Sequence, residues 1–250
     1  MNQVIDRIHK IGTTKNKTNT PQTLQSTIEK QMGAFISMII KNDLSIKKTL
    51  EISSNYGFSA LHVCSATKDR PGAHHTIIDP IQTARGDRTY IQNLSEAGIA
   101  GFHLVEKRSE FALPELAQTQ MGQFDFIFLD GWHTFDHSLL DCHYATRLLR
   151  VGGYLVVGDL SVPSVLHVVD FIKSWPCYNE QSSLSKPLSD SRNKQLSRLL
   201  LSSISRQTWE HFLAPRLCRH IFQGDALQMI ALKKVCEDKR DWHWLNHRFP

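Results

Sequence analysis

Two aspartates and a histidine are the residues best placed to do chemistry in this chain. Asp130 closes the apolar run Phe126-Ile127-Phe128-Leu129, and His133 follows three residues later in the turn Asp130-Gly131-Trp132-His133. Asp159 stands just beyond a second apolar run, Tyr154 to Val157. Short apolar runs between turn signals read as strands buried on both faces, as in parallel sheets. The carboxyl edge of such a sheet is where ligands bind. If the two strands are neighbours, two carboxylates and an imidazole meet in one crevice. Oxygen donors suit a hard cation, and an imidazole with a pKa near ~6.5 can take a proton at neutral pH.

The elements that must position these groups alternate regularly. A period of three and four (Leu24, Ile28, Met32, Phe35, Ile36, Ile39, Ile40) predicts an amphipathic helix over 24–40. Thr49 to Ile52 reads as a strand, Ser53 to Gly57 as a turn and Phe58 to Thr67 as a helix. His75 to Asp79 is a second strand ending on an acid. Thr83 to Gly98 reads as a helix, Gly101 to Glu106 as a strand, and Ser109 to Leu116 as the start of a helix with Pro114 in its first turn or at its break. Helices are expected over Phe135–Arg150 and Pro163–Trp175, with Gly152-Gly153 as the turn before the last parallel strand. The Ser-rich stretch Cys177–Asn193 reads as a long connection and Lys194–Phe212 as a helix with arginines around it. Arg219–Val235 reads as a closing hairpin. The expected fold is therefore α/β: a doubly wound, mostly parallel sheet with helices on both faces and a closing antiparallel strand. The domain reading is a polar lead-in (1–23), a core (24–176 and 218–235), an insertion (177–217) and a tail (236–250).

Composition bounds the partners. At 250 residues with 41% hydrophobic and 21% charged side chains, the chain is long enough for one large core. No apolar run reaches the ~20 residues of a membrane span, and Met1 to Asn19 lacks the apolar region of a secretory signal. The five cysteines are odd in number without CxxC spacing, which points to reduced thiols and a cytoplasmic setting. Residues 185–250 hold 12 basic against 6 acidic side chains, while the rest is near neutral. That excess reads as a solvated face or as a surface for an anionic partner. No nucleic-acid motif accompanies it.

The motifs resemble those of class I S-adenosylmethionine-dependent methyltransferases, above all the catechol-type and sugar O-methyltransferases. Thr49–Leu61, TLEISSNYGFSAL, is similar to that family's LEIGxxxGYSAL, with Ser53 at its first glycine. Ile78-Asp79-Pro80 resembles the ribose-binding acid and its neighbours. Leu104 to Ser109 stands where the family has LIEGDA/S, with Lys107-Arg108 replacing Gly-Asp. Phe124 to Asp130 matches FDxxFxD, and Leu148 to Gly153 matches LLRPGG. The resemblance spans about residues 24–175 and the strand at Leu227–Leu232.

It implies S-adenosylmethionine held by Glu51, Ser53, Gly57, Ser59, Asp79, Ser109, Asp130 and Trp132. It implies methyl transfer to a hydroxyl of a small molecule, with His133 as general base beside Asp130. Acids at the places of Asp130 and Asp159 hold Mg²⁺ in metal-dependent relatives. Their asparagine after the second acid is Leu160 here, so a third ligand falls to Glu51, Asp136 or water. The alternative is direct contact by Asp130 with no metal and a structural Asp159. Trp132 is either a wall against substrate or adenine, or core. A non-catalytic binding protein on a degenerate methyltransferase fold is the other functional reading. The basic 185–219 segment reads as a lid or a homodimer contact.

Overall fold

Strands whose side chains are buried on both faces fix the architecture of this computed structural model, which describes residues 4–6, 13–15, 21–23, 29–80, 89–187, 225–241 and 244. Two short strands, β1 (Thr13–Lys15) and β2 (Pro21–Thr23), pair antiparallel within the polar lead-in. Helix α1 (Lys30–Asn42) is followed by β3 (Lys48–Ile52), α2 (Phe58–Thr67), β4 (His74–Ile78), α3 (Thr89–Glu96) and β5 (Phe102–Val105). Then come α4 (Ser109–Thr119), β6 (Phe124–Leu129), α5 (Phe135–Leu148), β7 (Leu149–Val157) and α6 (Pro163–Ile172). The chain closes with β8 (Tyr178–Pro187) and β9 (Asp225–Lys234).

The seven-stranded sheet has the order β5-β4-β3-β6-β7-β9-β8. Strands β3 to β7 are parallel, and β9 runs antiparallel between β7 and β8. This is the Rossmann-like methyltransferase fold, and the strand order reverses between β3 and β6. Alternation along each strand divides the core. Ile127, Leu129, Leu155 and Val157 face α5 and α6. Phe126, Phe128, Tyr154 and Val156 face α1, α2 and α3.

Four expectations change. Gly152-Gly153 lies inside β7, where the register against β6 shifts between Phe124 and Phe126, so the pair forms an irregularity within the strand and not a turn before it. Pro114 sits in the interior of α4, which continues through it to Thr119; only one helical hydrogen bond is forfeited and the flanking Ala112 and Leu113 are buried. The supposed connection after Cys177 is the edge strand β8, which pairs along its length with β9. The closing hairpin partner of β9 is thus β8. The predicted helix over 194–212 and the starts of the helices predicted from Leu24 and Thr83 lie outside the described residues, as does Cys218. Cys64, Cys142, Cys177 and Cys236 form no disulfide among the described residues. None of the described helices is long and apolar enough to cross a membrane.

Candidate active site

Parallel register carries four strand ends to one edge. Ile52 is paired with Ile78 and with Leu129, and Leu129 with Val157. The residues that follow continue the ladder: Ser53 N–H donates to Ile78 O (2.8 Å), Asp130 N–H to Ile52 O (3.2 Å) and Gly158 N–H to Leu129 O (2.9 Å). Ser53, Asp79, Asp130 and Asp159 are therefore neighbours because their strands are.

The loop after β3 is built against its intrinsic preference. Ser53 has φ 67° and Asn55 has φ 48°, left-handed values that cost a non-glycine residue roughly 1 kcal/mol each. Gly57, at φ 82°, opens α2, and a Cβ there would stand 3.0 Å from Cβ of Tyr90. Asp79 stabilises the loop: its Oδ2 accepts the N–H groups of Ser54 and Asn55, both at 3.0 Å. Asn93 adds a hydrogen bond from Nδ2 to Tyr56 O at 2.9 Å. The loop and the N-terminus of α2 present backbone dipoles at the point where strand order reverses, the usual place for a nucleotide-like ligand.

Glu51 is 0% exposed and lies behind this loop. It accepts a hydrogen bond from Ser59 Oγ (3.2 Å) and faces His75 Nε2 at 3.4 Å; His75 Nδ1 in turn meets Thr49 Oγ1 at 2.8 Å. Glu51 and Ser59 thus act on the crevice from beneath. His75, which nothing in the strand pattern singled out, completes this buried polar strip.

On the other side of the reversal lie the three residues that opened the sequence reading. His133 Nε2 is 3.1 Å from Asp159 Oδ2 and 3.9 Å from Asp130 Oδ1. One donor atom from each of the three falls within 4.8 Å of the others. Asp159 has φ 50°, a further strained non-glycine residue. Gly158 leaves room for Asp130: a Cβ there would stand 2.9 Å from Asp130 Oδ1. The His133 carbonyl accepts a hydrogen bond from Ser164 Oγ, which ties the turn to α6. Burial raises the Asp130 carboxyl above its usual range. The neighbouring Asp130 carboxylate, with Asp159, raises the His133 imidazole against the opposing effect of burial.

Of the other residues singled out, Trp132 is 71% exposed, which removes the core reading. Ser109 begins α4 and faces Asp141 of α5. Asp141 itself went unrecognised in the sequence, because an acid at a helical position gives no burial signal. It is 2% exposed, and its Oδ2 would stand 3.0 Å from a Cβ at Gly131. Burial pushes its carboxyl up to about 6. A small cavity beneath the turn is lined by Asp130, Gly131, His133, Ser138, Asp141 and Gly158 among others. Neither carboxylate suggested as a third metal ligand joins this group: Glu51 is buried behind the loop, its Oε1 accepting from Ser59 Oγ, and Asp136 is exposed beside His137. Leu160 is buried in the apolar core.

Residues 50–160 match the family model described as "Methyltransferase domain". The resemblance to class I S-adenosylmethionine-dependent methyltransferases therefore holds over the motifs that suggested it. Among solved structures, the O-methyltransferase TomG from Streptomyces achromogenes, in complex with SAM, is 14% identical with TM-score 0.60; the match covers 93% of this chain and 88% of TomG. The O-methyltransferase from Bacillus cereus in complex with SAH is 12% identical, with TM-score 0.63 and coverage of 93% and 91%. The SAH-bound methyltransferase PaMTH1 of Podospora anserina is 17% identical, with TM-score 0.54 and coverage of 72% and 82%. At these identities the likeness is one of fold. No curated protein matches the sequence.

Proposed function

We propose that this chain transfers the methyl group of S-adenosylmethionine to a hydroxyl of a small molecule. The observation that carries the reading is the convergence of Asp130, His133 and Asp159 at the edge where the strained Ser53–Gly57 loop also opens. S-adenosylmethionine would supply an electrophilic methyl carbon on a sulfonium. The residues present fit it: the N-terminus of α2 behind the left-handed Ser53–Gly57 loop, Asp79 closing the second strand of the series, and an exposed tryptophan at the rim. The solved relatives bound to SAM or SAH support the same assignment.

The chain's own contribution is to orient the acceptor and remove its proton. Holding an acceptor oxygen in line with the methyl carbon supplies much of the rate. His133 is the group placed to take the hydroxyl proton, with Asp159 at 3.1 Å stabilising the imidazolium that results. Asp130 and Asp159 would hold a divalent metal if one is used. Asp130 Oδ1 and His133 Nε2 are buried atoms without a hydrogen-bond partner among the described residues, which suits a cation between them.

Isothermal titration of the full chain with S-adenosylmethionine tests this directly. A 1:1 complex is expected, and no heat at millimolar cofactor would sink the proposal. That outcome with a stable fold would favour a non-catalytic binding protein, the reading motivated by the motif departures at Ser53, Lys107-Arg108 and Leu160. His133→Ala should keep cofactor binding and lose release of S-adenosylhomocysteine with a panel of hydroxylated acceptors.

A further inference from the structure

We infer that His75 is a positioning residue for the cofactor: as a neutral imidazole it donates Nε2–H to the Glu51 carboxylate, and Glu51 in turn fixes the first turn of α2, where the Ser53–Gly57 loop ends. The inference rests on the proposed use of S-adenosylmethionine at this sheet edge and adds a residue that the reaction as described does not call on.

The sheet register brings the groups together. Thr49 of β3 lies beside His75 of β4, and Glu51 follows on the same face of its strand. His75 Nε2 stands 3.4 Å from Glu51 Oε2, and His75 Nδ1 stands 2.8 Å from Thr49 Oγ1. All three residues are buried. Neither Glu51 Oε2 nor His75 Nε2 has another hydrogen-bond partner among the described residues. The gap between them is a few tenths of an ångström longer than an ordinary N–H···O bond, and a small ring rotation closes it. A buried donor or acceptor left unmet carries its full desolvation cost. A proton on Nε2 satisfies both atoms at once. A proton on Nδ1 would instead set a bare nitrogen lone pair against a carboxylate oxygen. The Thr49 hydroxyl completes the sequence by donating to Nδ1.

Glu51 passes the constraint on. Its Oε1 accepts from Ser59 Oγ at 3.2 Å, and Ser59 is the second residue of α2. The residue before the helix, Gly57, supplies no side-chain cap, so Ser59 anchors the first turn in its place. Asp79 holds the other part of the loop through the N–H groups of Ser54 and Asn55. Both fastenings come from β4: Asp79 at the strand's end, and His75 through Glu51 and Ser59 beneath. Slack in the second would let the start of α2 shift against Asp79. A cofactor seated on the loop would then bind more weakly, while the groups around His133 stay in place. In turnover this reads as a raised KM for S-adenosylmethionine with kcat unchanged.

The test compares two amides of different reach in the full chain. Glutamine places its Nε2 where the imidazole has Nε2, and asparagine places its Nδ2 where the imidazole has Nδ1. His75→Asn should weaken S-adenosylmethionine binding at least fivefold in a calorimeter, and His75→Gln should restore it to within twofold of wild type. Ser59→Ala, which cuts the same connection at its far end, should match His75→Asn. A role in packing alone would make the two amides alike. Equal Kd values for them, or a wild-type Kd in His75→Asn, would overturn the inference. Thermal melts establish that each variant is folded. If an amide variant is not, ¹⁵N spectra of the wild-type histidine rings decide: the Nε2–H tautomer is expected at His75, and the Nδ1–H tautomer would overturn the assignment. No binding by the wild-type chain would overturn the methyltransferase reading and this inference with it, whereas wild-type binding with equal amide variants overturns this inference alone.

Discussion

Strain and burial at single residues mark this site more sharply than residue type does. Ser53 stands where the related motif has glycine, and it adopts the glycine conformation with φ 67°. Ser53→Gly should relieve roughly 1 kcal/mol of left-handed strain, less the entropy glycine loses on folding. The urea midpoint should rise with the slope unchanged, while S-adenosylmethionine affinity holds or improves. Asp141 gives the opposite case, a carboxyl pushed up to about 6 by burial from an unfolded value near ~3.9. A raised carboxyl favours folding only while protonated. Its contribution is therefore fully present below about pH 4 and lost as pH rises through 6. Asp141→Asn should then stabilise the protein by about 2 kcal/mol at pH 8 and by nothing near pH 4. Parallel thermal melts at the two pH values check this; equal shifts at both would show that the charge is not the cause.

Elements were legible in proportion to how fully they are buried. β6 and the second half of β7 could be read because both faces lie in the core, so Phe126 to Leu129 and Tyr154 to Val157 are apolar without interruption, whereas β3 and β4 carry buried polar residues (Thr49, Glu51, His75, Thr76) among their apolar ones. β8 could not: Tyr178 to Pro187 is an edge strand rich in serine, and its exposed and half-buried side chains look like a connection. The acids at the strand ends were readable for the same reason that the strands were. Asp141 and His75 were not, because their importance comes from contacts between elements distant in sequence. Charge misled in one place. Lys234 counts towards the basic C-terminal excess, yet its side chain is buried and its Nζ donates to Thr146 O (2.9 Å) and Leu149 O (2.8 Å) at the end of α5. It caps that helix with a cation, where the macrodipole favours one. Lys234→Met should leave those carbonyls unpaired and cost about 2–3 kcal/mol. The melting temperature should fall, and Lys234→Arg should not restore it in so confined a position.

At the scale of the whole molecule, the sheet divides into an apolar face under α5 and α6 and a second face where Thr49, Glu51, Ser59 and His75 form a polar strip directly behind the Ser53–Gly57 loop. The crevice runs along the seam, with its loop side resting on buried hydrogen bonds and its acid side on close packing at Gly158. A ligand there would bridge β3, β4 and β6, so binding should be felt as global stability. At a cofactor concentration 100 times its Kd, linkage predicts about 2.7 kcal/mol, or a rise of roughly 5–10 °C for a chain of this size. On the proposed reading Asp79 would transmit this gain, since its Oδ2 organises the loop from the neighbouring strand. Asp79→Asn should therefore lower the melting temperature without ligand and also shrink the cofactor-induced rise. A variant that only weakened the fold would show the first effect and keep the second at saturating cofactor. Melts across a cofactor titration distinguish the two, and an undiminished rise at matched concentration would remove Asp79 from the binding site.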